Sequence, residues 1–215
     1  MLACVTCNSS IRQQLYNSMF YPNLLVMLSA FIVLAVIVYA LASLSRKSYN
    51  VSLQQNPGMA FLNPVPLTTA AMVLGIGMGG FIDGIVLHQL LQWHGMLTNK
   101  IAPVTVVAKS VNMFWDGLFH LFTLAVVCTG VVLQWKLLGR QDINRSGKLL
   151  WGGLLSGWGL FNIVEGVIDH HILKLHNIKE ITPNPGLWNY GFLILSVVMM
   201  AAGFLCIRSA KPEKA

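Results

Sequence analysis

Long apolar stretches alternate along the chain with short polar or proline-containing segments. A membrane-crossing helix needs roughly 20 mostly apolar residues, because the hydrocarbon core is about 30 Å thick and a helix rises about 1.5 Å per residue. Five stretches meet this length, at residues 24–44, 67–92, 112–133, 150–173 and 188–207. The pattern therefore predicts an all-α fold, a polytopic membrane helix bundle with five transmembrane helices.

Composition supports a membrane protein and excludes other classes. Hydrophobic residues make up 55% of the chain and charged residues only 10%, which is too little polar surface for a soluble enzyme or a disordered chain. The net charge of +7 does not indicate a nucleic-acid partner, because the basic residues flank the apolar runs, where they act as topology signals. The expected partner is the lipid bilayer.

The distribution of Lys and Arg predicts the orientation. With the N-terminus outside, nine basic residues lie on the inner side and five on the outer side, which favours an N-out/C-in topology. A cleaved signal peptide over residues 1–42 is the alternative, with Ala40 and Ala42 as its small-residue site. It fits less well because the segment before the apolar run is long and cleavage would reverse the orientation that the loop charges favour.

The second and fourth spans are similar at an offset of 82 residues. The segment 83–94 and the segment 165–176 share an acid, a Gly, two aliphatic residues and two His at the same spacing. This similarity predicts two parallel helical-hairpin repeats that form a four-helix core. The expected organisation is an N-terminal CxxC segment, anchor helix and linker over 1–66, the four-helix transmembrane domain over 67–208, and a basic cytoplasmic tail over 209–215.

Ionisable residues in the apolar spans are the main functional signal. All six histidines and four of the seven acids lie in or beside the second, third and fourth spans, near their outer ends. Such residues are costly in lipid, and no Lys or Arg lies among them to balance the carboxylates. A divalent transition metal (Cu, Zn, Fe or Mn) would supply the missing charge and accept imidazole and carboxylate together. The candidate ligands are Asp83, His88, Asp116, His120, Glu165, Asp169 and His170, supported by His94, His171 and His176.

Helical phase refines this prediction. At 100° per residue, His88 is turned about 140° from Asp83, so we expect it to face a neighbouring helix, and His170 likewise. Counted inward from the outer ends of the spans, His94 and His176 are expected at the membrane surface. A single centre that uses every candidate is therefore not expected, and an inner ligand shell with an outer one, or two adjacent centres, fits better.

Two other interpretations of the cluster remain open. Protonated acids bonded to neutral His can form a packing network without metal, as in a helix-packing or assembly subunit of a membrane complex. A haem held by His88 and His170 is the second, because these two residues occupy equivalent positions in the repeat.

Cys4 and Cys7 form a CxxC motif before the first span. In an oxidising compartment this pair can be a disulfide, a redox pair or a thiolate site for a soft metal such as Cu(I). Because the chain has no second CxxC, the motif alone does not choose among them.

Three segments resemble the signature motifs of a prokaryotic membrane family, domain of unknown function 2243. They are residues 80–89, 116–120 and 165–171, within a resemblance that covers about residues 67–207. The resemblance implies a four-helix multi-pass protein of the prokaryotic cytoplasmic membrane, without an established reaction. It also implies a copper or respiratory connection, with other membrane subunits or a metal-delivery complex as partners. Asn189 departs from it, because an acid is expected there.

The predicted function is accordingly an integral membrane protein with an outer-leaflet His/carboxylate transition-metal site. Metal handling, respiratory-complex assembly and metal-dependent redox chemistry are its expected roles. The sequence contains no HExxH, GxSxG or phosphate-loop motif, so it identifies no reaction or substrate.

Overall fold

The computed structural model describes residues 8–55 and 61–213, which are helical and contain no strand. The helices are α1 (Ser9–Leu15), α2 (Phe20–Gln55), α3 (Val65–Asp83), α4 (Val106–Trp135), α5 (Gly147–Glu165) and α6 (Pro185–Arg208). Helices α3 and α5 each continue without a break into a π-helix, over Gly84–Leu90 and Gly166–Ile172 respectively. The predicted all-α fold is confirmed.

Four of the described helices are long and apolar enough to cross a membrane. They are Phe20–Gln55, Val65–Leu90, Val106–Trp135 and Pro185–Arg208. The predicted span 150–173 is also helical, but α5 is not among the four. Its residues are largely enclosed by protein, since α5 packs against both α3 and α6, so it tolerates the glycines and polar side chains that lower its hydropathy.

The crossing of α3 and α5 depends on two glycines. A Cβ at Gly75 would overlap the backbone carbonyl of Leu154, and a Cβ at Gly157 would overlap that of Met72. Small residues at such positions let membrane helices approach closely, where dispersion contacts drive their association. This close approach brings together the two helices that carry the acid–Gly segments.

The N-terminal helices pack against α4 through aromatic side chains. The ring of Phe20 lies 5.4 Å from that of Trp115, and the ring of Phe31 lies 5.9 Å from that of Phe119. Met27 in α2 is buried in the same hydrophobic core. Helix α2 is thus held against the bundle and covers the faces of α4 and α5 that belong to this core.

Candidate metal centre

The two π-helices place an acid and a histidine next to each other in each half of the bundle. Oδ2 of Asp83 lies 3.2 Å from Nε2 of His88, and Oε1 of Glu165 lies 2.8 Å from Nε2 of His170. A π-helix bonds residue i to i+5, so residues five apart lie on one face. The prediction that His88 and His170 turn away from these acids is therefore wrong, because it assumed α-helical rotation throughout.

The chain reverses direction after each π-helix and directs a second histidine inward. Gln92 and Lys174 adopt left-handed conformations, with φ of 48° and 49°. The following backbone folds back, and His94 and His176 are 5% and 0% exposed. The sequence pattern does not predict this burial, which arises because the helix ends before each histidine and the loop turns inward.

Each loop histidine is held by a carbonyl group of the other loop. Nδ1 of His94 donates to the carbonyl oxygen of Ile178 at 2.8 Å, and Nδ1 of His176 donates to that of Met96 at 3.1 Å. Burial lowers the pKa of His94 well below its ordinary value, and it lowers the pKa of His176 as well. Both rings are therefore neutral at pH 7, with the proton on Nδ1 and a lone pair on Nε2.

His88 is fixed in the same way by a carboxylate. Its Nδ1 donates to Oδ1 of Asp116 at 2.9 Å, and that oxygen also accepts the backbone N–H of Met96 at 2.7 Å. The imidazole stacks on the ring of Phe119 at 5.6 Å. Its orientation leaves Nε2 directed toward Asp83.

Four imidazoles meet at the centre of this region. The ring of His94 lies 4.4 Å from that of His88 and 4.5 Å from that of His176, and His176 lies 4.7 Å from His170. Ligand atoms of His88, His94 and His176 all lie within 4.8 Å of one another. The same holds for Glu165, His170 and His176. We call these five residues the histidine cluster.

The chemistry of the histidine cluster fits a divalent transition metal. The side-chain atoms Nε2 of His88, Nε2 of His94 and Oε2 of Glu165 are buried without a hydrogen-bond partner. No Lys or Arg is among the buried residues of the described ranges 8–55 and 61–213. Two ligands of one tetrahedral ion stand roughly 3.3 Å apart, from metal–ligand bonds of about 2.0–2.2 Å. Nε2 of His176 and Oε1 of Glu165, 3.0 Å apart, approach this separation.

The remaining candidates lie around the histidine cluster or away from it. Asp169 is buried, with Oδ1 unpartnered. His120 bonds the carbonyl oxygen of Asp116 in its own helix, and His171 bonds that of Gly166. His171 lies against the ring of Tyr190 and takes no part in either three-residue group. Cys4 and Cys7 lie outside the described residues.

Two polar residues that position the loops were not candidates from the sequence. Oδ1 of Asn112 accepts the N–H of Leu97 at 3.1 Å, and Oδ1 of Asn189 accepts that of Ile178 at 2.9 Å. Asn189 therefore accepts a backbone N–H of the second loop, just as Asp116 accepts the N–H of Met96 in the first loop. The third and fifth spans are similar at an offset of 73 residues, which pairs Trp115-Asp116 with Trp188-Asn189 and Phe119 with Phe192, and this similarity was the available signal for Asn189.

The fold and this site define a multi-pass membrane protein of several apolar helices, with a buried His/carboxylate cluster. Residues 70–210 match the family described as predicted membrane protein, domain of unknown function 2243, and the chain belongs to that family. No curated protein and no solved structure matches the chain.

Proposed function

We propose that this protein is a membrane metalloprotein that binds a divalent transition metal ion, Cu, Zn, Fe or Mn, in the histidine cluster. The observation that carries the proposal is the set of buried imidazoles whose Nδ1 atoms are already bonded. Metal-ligating histidines commonly donate their other ring N–H to a carbonyl or carboxylate, which fixes the ring and raises its basicity. His88, His94 and His176 each meet this description.

We assign one ion to His88, His94 and His176, whose ligand atoms lie within 4.8 Å of one another, and Glu165 stands beside it through its contact with His176. Nδ1 of His176 is occupied by Met96, so His176 has one nitrogen left to offer. Oε1 of Glu165 lies 3.0 Å from that nitrogen. Asp83 and His170 stand beside this set, where the carboxylate of Asp83 balances part of the ion's charge. A bound ion would supply Lewis acidity or, for Cu and Fe, electron transfer.

The packing of the imidazoles favours an ion over a haem. A macrocycle between His88 and His170 needs an open slot, whereas His94 and His176 fill the space beside them, with ring separations of 4.4 and 4.7 Å. The alternative, a hydrogen-bonded packing network, predicts the same folded cluster without a bound metal. The metal content of the purified protein distinguishes this network from a metal site.

We also propose that the four-helix core arose from a duplicated helical hairpin. Both π-helices begin at the glycine of an acid–Gly pair, and both end shortly before a left-handed residue. The two loop histidines each donate to a carbonyl oxygen of the other loop. We further propose that the chain lies in a prokaryotic cytoplasmic membrane with the N-out/C-in orientation. It places the histidine cluster toward the outer side, where metal handling or assembly of a respiratory complex would use it.

Substitution of the loop histidines tests the proposal. We expect His94→Ala and His176→Ala to lower the metal content of the purified, untagged protein at least roughly tenfold, since each removes a direct ligand. His171→Ala is the matched control, because this histidine lies beside His170 yet bonds only its own helix, and it should leave the content unchanged. Element-resolved mass spectrometry gives the content. Equal metal content in all three variants would contradict the assignment.

A further inference from the structure

A large apolar cavity lies beside the histidine cluster, between α3 with its π-helix and α6. Its volume is about 600 Å³, within the usual range for small-molecule sites of about 300–1,000 Å³. Helix α5 contributes Trp158 and Asn162 to its wall. The cavity therefore has room for a ligand of moderate size, and most of its wall is apolar.

Flat aromatic side chains and one carboxylate give this cavity its chemical character. Trp93, Trp158, Trp188 and Phe192 all line it. Asp83 lines it too, with a side chain only 5% exposed; its Oδ2 lies 3.2 Å from Nε2 of His88, and its Oδ1 has no hydrogen-bond partner. A buried carboxylate needs donors, and aromatic walls bind flat rings well. The wall thus matches a ring that carries hydroxyl groups.

The position of the cavity indicates that its ligand comes from the bilayer. Leu187 and Leu195 line it and are 68% and 56% exposed on the surface of α6, a helix apolar enough to span the membrane. The rings of Trp93 and Trp188 meet at 5.1 Å, and the ammonium of Lys179 lies over both. Trp and Lys in this arrangement are typical of the membrane interface. An amphiphile would place its headgroup near Asp83 and its tail along α6.

Helix α2 covers the face of α4 that corresponds to the α6 wall of the cavity. The face of α4 that carries Trp115 and Phe119 is covered by Phe20 and Phe31 from the N-terminal part of the chain. Trp188 and Phe192 occupy the matching positions on α6 at the offset of 73 residues, and they line the cavity instead.

We infer that this cavity binds a bilayer-soluble hydroquinone, a flat ring with hydroxyl groups and an apolar tail, whose hydroxyl donates to Asp83. The headgroup would then lie near His88, because Nε2 of His88 is 3.2 Å from Oδ2 of Asp83. The inference does not depend on a bound metal, because the cavity and its carboxylate belong to the protein itself.

Equilibrium binding of tritiated 2-decyl-1,4-hydroquinone to the full chain in lipid nanodiscs tests the inference. We expect saturable binding above that of empty nanodiscs. Its dimethyl ether should compete roughly tenfold more weakly, because it cannot donate to the carboxylate. Asp83→Asn should reduce this discrimination. Binding that does not saturate, or equal competition by the ether or by decanol, would overturn the inference.

A pair of glycine variants keeps the test independent of folding defects. Gly191 lines the cavity and Gly117 lies on α4 outside it, and a Cβ at either position meets nothing within 4 Å. Gly191→Leu should therefore abolish saturable binding by filling the cavity, whereas Gly117→Leu should leave it intact. Unchanged binding to Gly191→Leu would overturn the inference. Repeating the titration after chelator treatment shows whether hydroquinone binding requires a bound metal. The hydroquinone inference and the metal proposal can therefore be tested separately.

Discussion

At the residue scale, the chemistry of the histidine cluster depends on where each imidazole keeps its proton. Carbonyl oxygens can only accept hydrogen bonds, so Ile178 and Met96 require a proton on Nδ1 of His94 and His176. Each Nε2 then carries a lone pair directed into the protein. Because each carbonyl belongs to the opposite loop, both loops must be folded before either histidine is correctly placed.

Asp116 links the ring of His88 to the first loop, and its charge can be tested separately from its shape. We expect Asp116→Asn to weaken metal binding by about 10–100-fold, because a ligating histidine loses the carboxylate that supports it. Competition with a chromophoric chelator measures the affinity. Asp142→Asn is the matched control, since Asp142 is exposed and paired with Arg140. An unchanged affinity in Asp116→Asn would exclude His88 as a ligand supported by this carboxylate.

The residue types of the cluster could be predicted from the sequence, but the inward position of its loop members could not. The sequence does not predict that His94 and His176 turn into the protein, because nothing in it marks Gln92 and Lys174 as left-handed. Glycine or asparagine usually occupies such a position, and here the fold imposes it on longer side chains.

At the scale of elements, the two π-helices convert a five-residue spacing into a contact. The sequence predicts a helical span over 67–92 and the structure has one over Val65–Leu90, but a rotation of 100° per residue would separate Asp83 from His88. The change from i→i+4 to i→i+5 bonding restores the contact, and Glu165 and His170 repeat it. Such a change depends on tertiary contacts, so the apolar pattern alone does not predict it.

Because α3 and α5 cross closely at Gly75, we expect this position to tolerate no added methyl group. Gly75→Ala should destabilise the protein by roughly 1–3 kcal/mol, because its Cβ would overlap the carbonyl of Leu154 and the helices would have to separate. Thermal unfolding in detergent, followed by tryptophan fluorescence, measures the effect. Gly117→Ala, on an open surface of α4, should unfold at or slightly above the wild-type temperature, because Ala is the better helix former. Equal unfolding temperatures for both variants would contradict this description of the crossing.

At the scale of the whole molecule, the histidine cluster joins parts of the chain that are distant in sequence. It draws on both π-helices, on both loops and, through Asp116, on α4. The sequence pattern predicted the helical bundle correctly, because bilayer thickness fixes the length of each apolar run. It also treated 150–173 as one more apolar span, whereas α5 is enclosed by α3 and α6 and needs less hydropathy.

Since the ligands come from separate elements, a bound metal should stabilise the folded protein. Removing it with a chelator should lower the unfolding temperature, and adding it back should restore the temperature as the metal concentration rises. At a free concentration of about 100 times Kd, the expected stabilisation is roughly 2.7 kcal/mol. His94→Ala should show no response to the chelator. A chelator effect of equal size in that variant would place the metal elsewhere.

The most direct test of the central claim is the element content of the wild-type protein, purified from membranes without a polyhistidine tag and without chelator. Element-resolved mass spectrometry should find Cu, Zn, Fe or Mn in stoichiometric amount, because the imidazoles of His88, His94 and His176 are buried, neutral or carboxylate-supported, and ready to bind. Metal at background level, in protein whose loops are folded, would contradict the claim and leave the cluster as a hydrogen-bonded packing network.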